Sequence, residues 1–440
     1  MQSHIVICCV AACVAIFFPH RSALAEPSHQ RAGVGAGFGD PAIIRKALTG
    51  RGLTYGLNYT GDLVGNVTSG ARQSAHYDGL LELWADIDFQ KLAGWRGLTF
   101  HVNAFQIHGT SITAENIGSL VSVSNIEAFP STRLDELWFE QELLDELISV
   151  RFGELAIDSE FLIAESTGVF IASTFGWTTL TSDNLPYGGP IYPFAAPGVR
   201  VALEPGNDVK LMAGIYNSDP IGPCPEDLDP GECNQHGLEF RLKDPALLLV
   251  EGDYGYGRGE SSFPGRIKLG GWYHFETFDQ QNPKPASQRG RRHEGNYGLY
   301  AVLDQVVYRR SEGAEAGGVS VFIRAVVSPS DRNQIHAYAD AGLVLTGIVP
   351  RRPHDVIGIG VAYTGLSDEA AVFHAPPGAC FNQNCEALLE LTYAAEITPR
   401  WTLQPVVQYI HNPGGGLSEE AAEDGISDAL VLGVRTMVNF

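Results

Sequence analysis

The chain has 440 residues, 44% of them hydrophobic, with 51 acidic against 29 basic side chains and a formal net charge of −22. That balance argues against a nucleic-acid partner, which requires clustered Lys and Arg. Past the N-terminus no apolar run approaches the ~20 residues of a spanning helix. This excludes a helical membrane protein but not a barrel, whose strands bury only alternate side chains.

Residues 1–25 read as a secretory signal peptide: an apolar run from Ile5 to Phe18, Pro19 to break it, and Ala23-Leu24-Ala25 before Glu26. No Lys or Arg precedes the run, and a buried N-terminal strand is the alternative. Cleavage would remove Arg21 and no acid, leaving the rest more acidic still, and would take Cys8, Cys9 and Cys13 with it. Residues 26–51 form a lead that is Gly-rich from Gly33 to Gly39. Asp40-Pro41 then suits an N-cap followed by proline at the first helical position. A short amphipathic turn, Ile43 to Leu48, stops at Gly50. The Gly-x-Gly-x-Gly run has no preceding strand and no following βαβ unit, so it is a linker rather than a dinucleotide fingerprint. No plug-sized domain is expected ahead of the first strand, which argues against an energised, plugged transporter.

From residue 52 to residue 440 the chain reads as one outer-membrane β-barrel. About sixteen strand-like runs follow, near the ~10 residues a tilted barrel strand needs. They are 52–66, 78–90, 97–108, 132–143, 147–157, 198–204, 208–217, 246–256, 265–278, 296–309, 317–328, 335–349, 355–366, 386–397, 401–411 and 429–440. Alternation assigns the faces. Leu81, Leu83, Ala85, Ile87 and Phe89 oppose Glu82, Trp84, Asp86 and Asp88; Leu389, Leu391, Tyr393, Ala395 and Ile397 oppose Glu390, Thr392, Ala394 and Glu396. Charges on so many inner faces would be ruinous in a dry soluble core and cost little in a wet barrel. The last run ends the same way, with even positions from Leu430 to Phe440 apolar except Thr436, and Gly433, Arg435 and Asn439 between them. Every second connection is short (91–94, 144–146, 204–208, 397–400), as periplasmic turns are against longer extracellular loops, and an even strand count returns the C-terminus to the side where the first strand starts.

The longest connection, about 158–197, follows the fifth strand and is rich in aromatics and turn residues. A stretch of that length is usually functional, and an inward fold that narrows a channel is the expectation; a loop lying over the rim is the alternative. The four cysteines left after cleavage fall in two close pairs, Cys224 with Cys233 and Cys380 with Cys385, in loop sequence. In an oxidising compartment each pair suits a loop-stapling disulfide. Zinc is the alternative, although neither pair has CxxC spacing.

Four segments carry a family resemblance: Gly61 to Asn66, Leu137 to Gln141, Val150 to Phe161 and Leu403 to Gly415. The chain resembles the carbohydrate-selective porin (OprB) family over nearly all of its length after the signal, most specifically across 148–200 and in the closing Gln408-Tyr409-Ile410-His411-Asn412-Pro413-Gly414-Gly415. The resemblance implies a sixteen-stranded bacterial outer-membrane barrel that passes mono- or oligosaccharides by facilitated diffusion, among bilayer lipid and lipopolysaccharide, often as a homotrimer, with no cofactor.

A sugar channel needs aromatic planes that stack on pyranose faces and charged or amide groups that exchange hydrogen bonds with hydroxyls, held weakly enough that the solute leaves. Inward phase selects Trp84, Trp138 and Trp272 as aromatics, with interior filler or an interfacial girdle as the plainer reading. The inward polar set is Glu82, Asp86, Glu136, Glu140, Arg151, Arg200, Arg324, Gln404, Gln408 and Arg435, against a plain ion-paired barrel wall. Arg151 leads, because it sits in the family-like segment just before the long loop, which Asp158 and Glu160 begin. No Gly-x-Ser-x-Gly elbow, His-Glu-x-x-His or phosphate loop is present, so an enzyme is not expected. The rival readings are a general, cation-leaning diffusion porin without a sugar site and a surface adhesion barrel that conducts little.

Overall fold

The structure is a computed structural model that describes residues 41–68, 73–206, 208–225, 227–257, 262–281, 291–310, 317–368, 384–415 and 428–440. The expected signal segment, the Gly-rich lead and Cys380 lie outside the described residues. A helix, α1 (Pro41–Thr49), precedes the strands. The strands are β1 (Leu53–Asn66), β2 (Ser74–Asp88), β3 (Leu98–Gly109), β4 (Ser131–Leu143), β5 (Ile148–Leu155), β6 (Ala196–Gly206), β7 (Val209–Asn217), β8 (Ala246–Tyr256), β9 (Gly265–Asp279), β10 (Arg292–Arg309), β11 (Gly318–Val327), β12 (Ile335–Thr346), β13 (Val356–Leu366), β14 (Cys385–Thr398), β15 (Trp401–His411) and β16 (Ala429–Asn439). Each pairs antiparallel with its chain neighbours, and β1 closes on β16 with Asp62 opposite Arg435. No described helix is long and apolar enough to cross a membrane.

The two-residue period decides which side chains meet lipid. On β14, Leu389 and Leu391 are exposed outside while Glu390 and Thr392 are buried inside; on β11, Ile323 is exposed and Arg324 buried. Closure leaves no free sheet edge, the condition for strands in lipid. At the short-turn end Phe440 N donates to Leu57 O (2.9 Å), so the terminal residue stays tied to β1.

Strand ends depart from the sequence reading where side chains intervene. The run 78–90 begins earlier, at Ser74, and stops at Asp88, because the Asp88 carboxylate accepts the N–H groups of Gln90 and Lys91 (3.0 and 3.2 Å) and starts a one-turn helix, α2 (Phe89–Ala93). The run 246–256 is strand from Ala246 to Tyr256, as read. The run 147–157 ends at Leu155, where the chain turns inward.

The lumen is filled by two connections. Residues 156–195, after β5, form 3-10 turns and a short helix, α3 (Thr179–Asn184), inside the barrel. Residues 113–127, after β3, join them: Asn125 N donates to Ile171 O (2.8 Å) and Ser173 N to Ser122 O (3.0 Å). Phe161, Phe170, Phe175 and Leu180 are buried, and the rings of Phe170 and Phe175 lie 4.4 Å apart against Phe322 of β11. Gly360 on β13 makes room, since a Cβ there would stand 2.7 Å from the Phe175 ring.

Inward carboxylates receive the backbone of both connections. Glu390 accepts Ile171 N (2.7 Å) and Ala172 N (2.9 Å), Glu251 accepts Leu162 N (2.9 Å), and Glu386 accepts Leu120 N (2.8 Å) and Val121 N (3.1 Å). Arg324 donates to the carbonyls of Leu162, Thr174, Phe175 and Gly176 at 2.9–3.3 Å while paired with Asp340. At the start of the inner loop Asp158 accepts Tyr192 N (3.2 Å), and burial pushes its carboxyl up to about 7, with a lesser push from nearby Glu136. Cys224 and Cys233 form a disulfide (Cα–Cα 5.7 Å). Cys385 is disulfide-bonded as well.

Two outcomes are expected. Replacing Glu390 with Ala removes two charge-assisted bonds worth roughly 1.5–3 kcal/mol each. Hydrogen exchange at the Ile171 and Ala172 amides should accelerate at least tenfold, with Gln at this position intermediate; unchanged exchange would refute the clamp. For Asp158, a carboxyl raised on folding stabilises most when protonated, below its ordinary range, and that contribution is lost as pH rises through about 7. Thermal denaturation between pH 4 and 8 should therefore show stability falling with pH in the wild type and a flatter profile in Asp158→Asn.

Candidate functional site inside the barrel

Five adjacent strands, β2 to β6, place a row of inward side chains across one wall near the short-turn end. Asp86 stands opposite His101, His101 opposite Trp138, Glu140 opposite Arg151, and Arg151 opposite Arg200. Directly opposed residues share a face, so one inward residue from each strand, with two from β4 (Trp138 and Glu140), makes the row.

Two opposed arginines repel unless something bridges them. Glu140 does so from β4, accepting Arg151 Nη2 at 2.8 Å and Arg200 Nη2 at 2.9 Å. Glu160 does so from the inner loop, accepting Arg200 Nη2 at 2.6 Å and Nε at 3.0 Å, with Arg151 Nη1 at 3.5 Å. Arg200 also donates to Ser149 Oγ (2.6 Å). The start of the loop is thus held to the wall by the charges that make the row. The two guanidiniums differ in access: the Arg200 side chain is 2% exposed and that of Arg151 17%. Arg200 anchors, and Arg151 reaches the lumen.

Trp138 is sandwiched rather than open. The Arg151 guanidinium lies 3.8 Å from its ring centroid, and the His101 ring stacks on it at 4.9 Å and 21°. His101 in turn makes a 2.6 Å contact with Asp86, whose side chain is 47% exposed. His101 was missed in the sequence, where its inward phase beside phenylalanines gives no cue to a stack completed by the next strand. Trp138 Nε1 is buried without an acceptor. Trp84, half-buried, lies over Gly56, its register partner on β1, where a Cβ would stand 2.6 Å from three atoms of the indole. Two residues before it, Glu82 accepts Asn58 Nδ2 (2.9 Å).

The remaining sequence-selected residues lie outside the row: Glu136 higher on β4, Asp158 on the inner loop, and the others on further strands under the inner connections. Arg324 is fully buried and clamps the loop. Gln404 donates to Val169 O (2.6 Å), and Gln408 to Val123 O (2.9 Å) and to Glu390 (3.1 Å). Arg435 pairs with Asp62 (2.7 Å) and donates to Asn125 Oδ1 (2.7 Å). Trp272 is buried against Gly298. Glu136 accepts Ala156 N (3.1 Å) where the chain leaves the wall, and Asp158 faces Tyr192. These side chains point inward as the alternation required, but they meet loop backbone where open water was expected. Open space remains toward the turn end, where a cavity of about 530 Å³ is lined by Glu165, Ser166, Asp304, Thr346 and Gln404, among others.

Comparison with known proteins bears on the fold and the family. Porin B of Pseudomonas aeruginosa is 24% identical over 434 residues, covering 91% of this chain and 90% of that protein. The high-pH structure of Pseudomonas putida OprB superposes with a TM-score of 0.78 at 22% identity, over 91% of this chain and 97% of that one; the low-pH structure gives 0.58 at 20% identity over the same shares. These likenesses show the fold. The family model described as "Carbohydrate-selective porin, OprB family" matches residues 72–440, and the chain, an outer-membrane sugar porin, belongs to that family.

Proposed function

We propose that the row on β2 to β6 is the constriction at which sugar is held during passive diffusion. A pyranose stacks on the lumen face of Trp84. Asp86 accepts from its hydroxyls, and the exposed edge of Arg151 donates to them. Trp138 and His101 act as positioning residues, fixing Arg151 and Asp86 in one plane. The observation that supports this most directly is the fork of Arg151 between Glu140 and the Trp138 face. Such a guanidinium pays little further ordering entropy when a solute arrives. It is also already paired, so each solute bond replaces or shares an existing one and binding stays weak, as conduction demands.

The chain's negative charge favours cations in any open channel. Where β4 to β6 meet the loop, however, two guanidiniums are matched by two bridging carboxylates, and the exposed Asp86 adds an acceptor, so donors and acceptors stand side by side for a hydroxyl-rich solute. The cavity below would receive the solute on the turn side before release. Nothing in this reading alters the solute chemically. Homotrimer assembly, contact with lipopolysaccharide and cleavage after Ala25 follow from the family resemblance and the leader pattern; crosslinking and N-terminal sequencing of the exported protein test the first and last.

Planar-bilayer conductance titrated with glucose and maltose tests the site. Saturable block of the ion current is expected in the wild type. Trp84→Ala should weaken block about tenfold, near 1.4 kcal/mol, with little change in open-channel current. Arg151→Ala should weaken block and shift selectivity further toward cations. Equal block in wild type and both variants would move the site elsewhere; no block by any sugar would leave a general diffusion channel.

A further inference from the structure

Beyond the row, β9 builds a second arginine into the inner wall in the manner of Arg151. Alternation points Arg266 inward, in phase with the buried Trp272, and register sets it opposite Gly255 of β8 and Asp304 of β10. Its guanidinium forks onto Asp253 of β8: Nε lies 3.1 Å from both carboxylate oxygens, and Nη2 donates to the same group. Nη1 is left over. It lies 3.9 Å from Glu165 Oε1 on the inner loop, too far for a hydrogen bond. The Arg266 side chain is 36% exposed, against 17% for Arg151. A guanidinium fixed by one edge thus presents its other edge to the lumen.

Glu165 and Asp304 line the cavity of about 530 Å³ at the turn end, a size within the roughly 300–1,000 Å³ of small-molecule sites. Asp304 holds the loop edge of the cavity in place, accepting Ser166 N (2.7 Å) and Oγ (2.6 Å). Two kinds of surface meet there. Ser320, Thr346 and Thr402 bring hydroxyls from β11, β12 and β15, while Val306, Val344 and Met437 bring apolar surface. A hydrated cation would use the carboxylates but gain nothing from valine and methionine. A pyranose has hydroxyls at its rim and C–H groups on its faces, and so uses both. One hydroxyl can accept from Arg266 Nη1 and donate to Glu165, closing the 3.9 Å gap between them. An anionic sugar would face Glu165, Asp304 and Glu396 around a single guanidinium edge, a field of the wrong sign. Met437 stands opposite Thr60 of β1, beside the strand that carries Glu82, Trp84 and Asp86, so cavity and row share one stretch of inner wall.

We propose that this cavity is a second solute station, which holds a neutral sugar between Arg266 and Glu165 on the turn side of the inner loop; it rests on the reading of the row only for the class of solute. Protection of a reporter thiol tests it. Thr402→Cys places the thiol on the cavity wall, and the described native cysteines are all disulfide-bonded. Modification by 2-aminoethyl methanethiosulfonate, added on the turn side of the channel in a planar bilayer, is read as the fall in current. Maltose should slow that modification, by about threefold at twice its dissociation constant, and a polyethylene glycol of equal mass should not. Arg266→Ala should abolish the protection. Arg266→Lys, which keeps a cation beside Asp253, should retain part of it and serves if the alanine variant fails to fold. Trp84→Ala should leave the protection intact, so the station and the row fail separately. Protection lost in Trp84→Ala but kept in Arg266→Ala would place the solute at the row alone and overturn the assignment. A thiol that maltose never protects, or that the polymer protects equally, would overturn it as well.

Discussion

The interior of this barrel depends on an exchange between wall side chains and loop backbone. A loop folded into a lumen brings N–H and C=O groups that no ladder satisfies, and orphaned backbone groups of that kind are rare in native proteins. Here the wall supplies the partners. Glu390, Glu386 and Glu251 accept amides, Arg324 donates to four carbonyls, and Gln404 and Gln408 donate to two more. Each wall carboxylate in turn recovers part of its cost of burial from the loop amides it accepts. Remove the loop and the wall becomes a set of bare charges; remove the charges and the loop has no reason to stay.

That exchange also marks how far the sequence could be read. Sixteen strands and their facing were legible because alternation is a local property: Leu389, Leu391 and Ile323 announce lipid, Glu390 and Arg324 announce the inside. Local pattern does not say what an inward charge will touch. Arg324 and Arg151 look alike in the sequence, each an arginine within an alternating run. Only the closed register shows that Arg324 lies under Thr174 and Phe175 while Arg151 stands in the row with Trp138. Asp62 and Arg435 are the extreme case, two residues from opposite ends of the barrel chain that meet across the closing seam. The 113–127 connection escaped notice for the same reason, since its polar, loop-like composition is indifferent to which side of the wall it lies on.

The candidate constriction follows from electrostatics that register imposes. Arg151 and Arg200 are opposed across adjacent strands, a placement that costs energy alone. Glu140 offsets part of it, and the geometry calls for a second carboxylate that no neighbouring strand provides. Glu160 arrives from the loop. The same ion pairs therefore fix the first turn of the loop and orient Arg151, the more accessible guanidinium of the pair. On the reading proposed above, a hydroxyl-rich solute crossing this point would meet both donors and acceptors already fixed in direction.

The inward turn at Ala156 has a consequence on the other side of the wall. β5 is short because its chain leaves for the lumen, so the upper part of β4, from Ser131 to Glu136, runs on beyond its partner. The unpaired Leu134 N–H must be met by something, and the carbonyl of His236 meets it, at one end of a strap formed by residues 236–244. Bringing the strap across the outer wall encloses Glu154, a residue the alternation would otherwise leave in hydrocarbon, and creates an apolar groove with a polar point inside it. One departure of the backbone from the sheet thus shapes both faces of the same strands: a hydrogen-bonded row within, and an apolar recess without. The two are separated by only the thickness of β5, where Arg151 and Glu154 sit three residues apart and point in opposite directions.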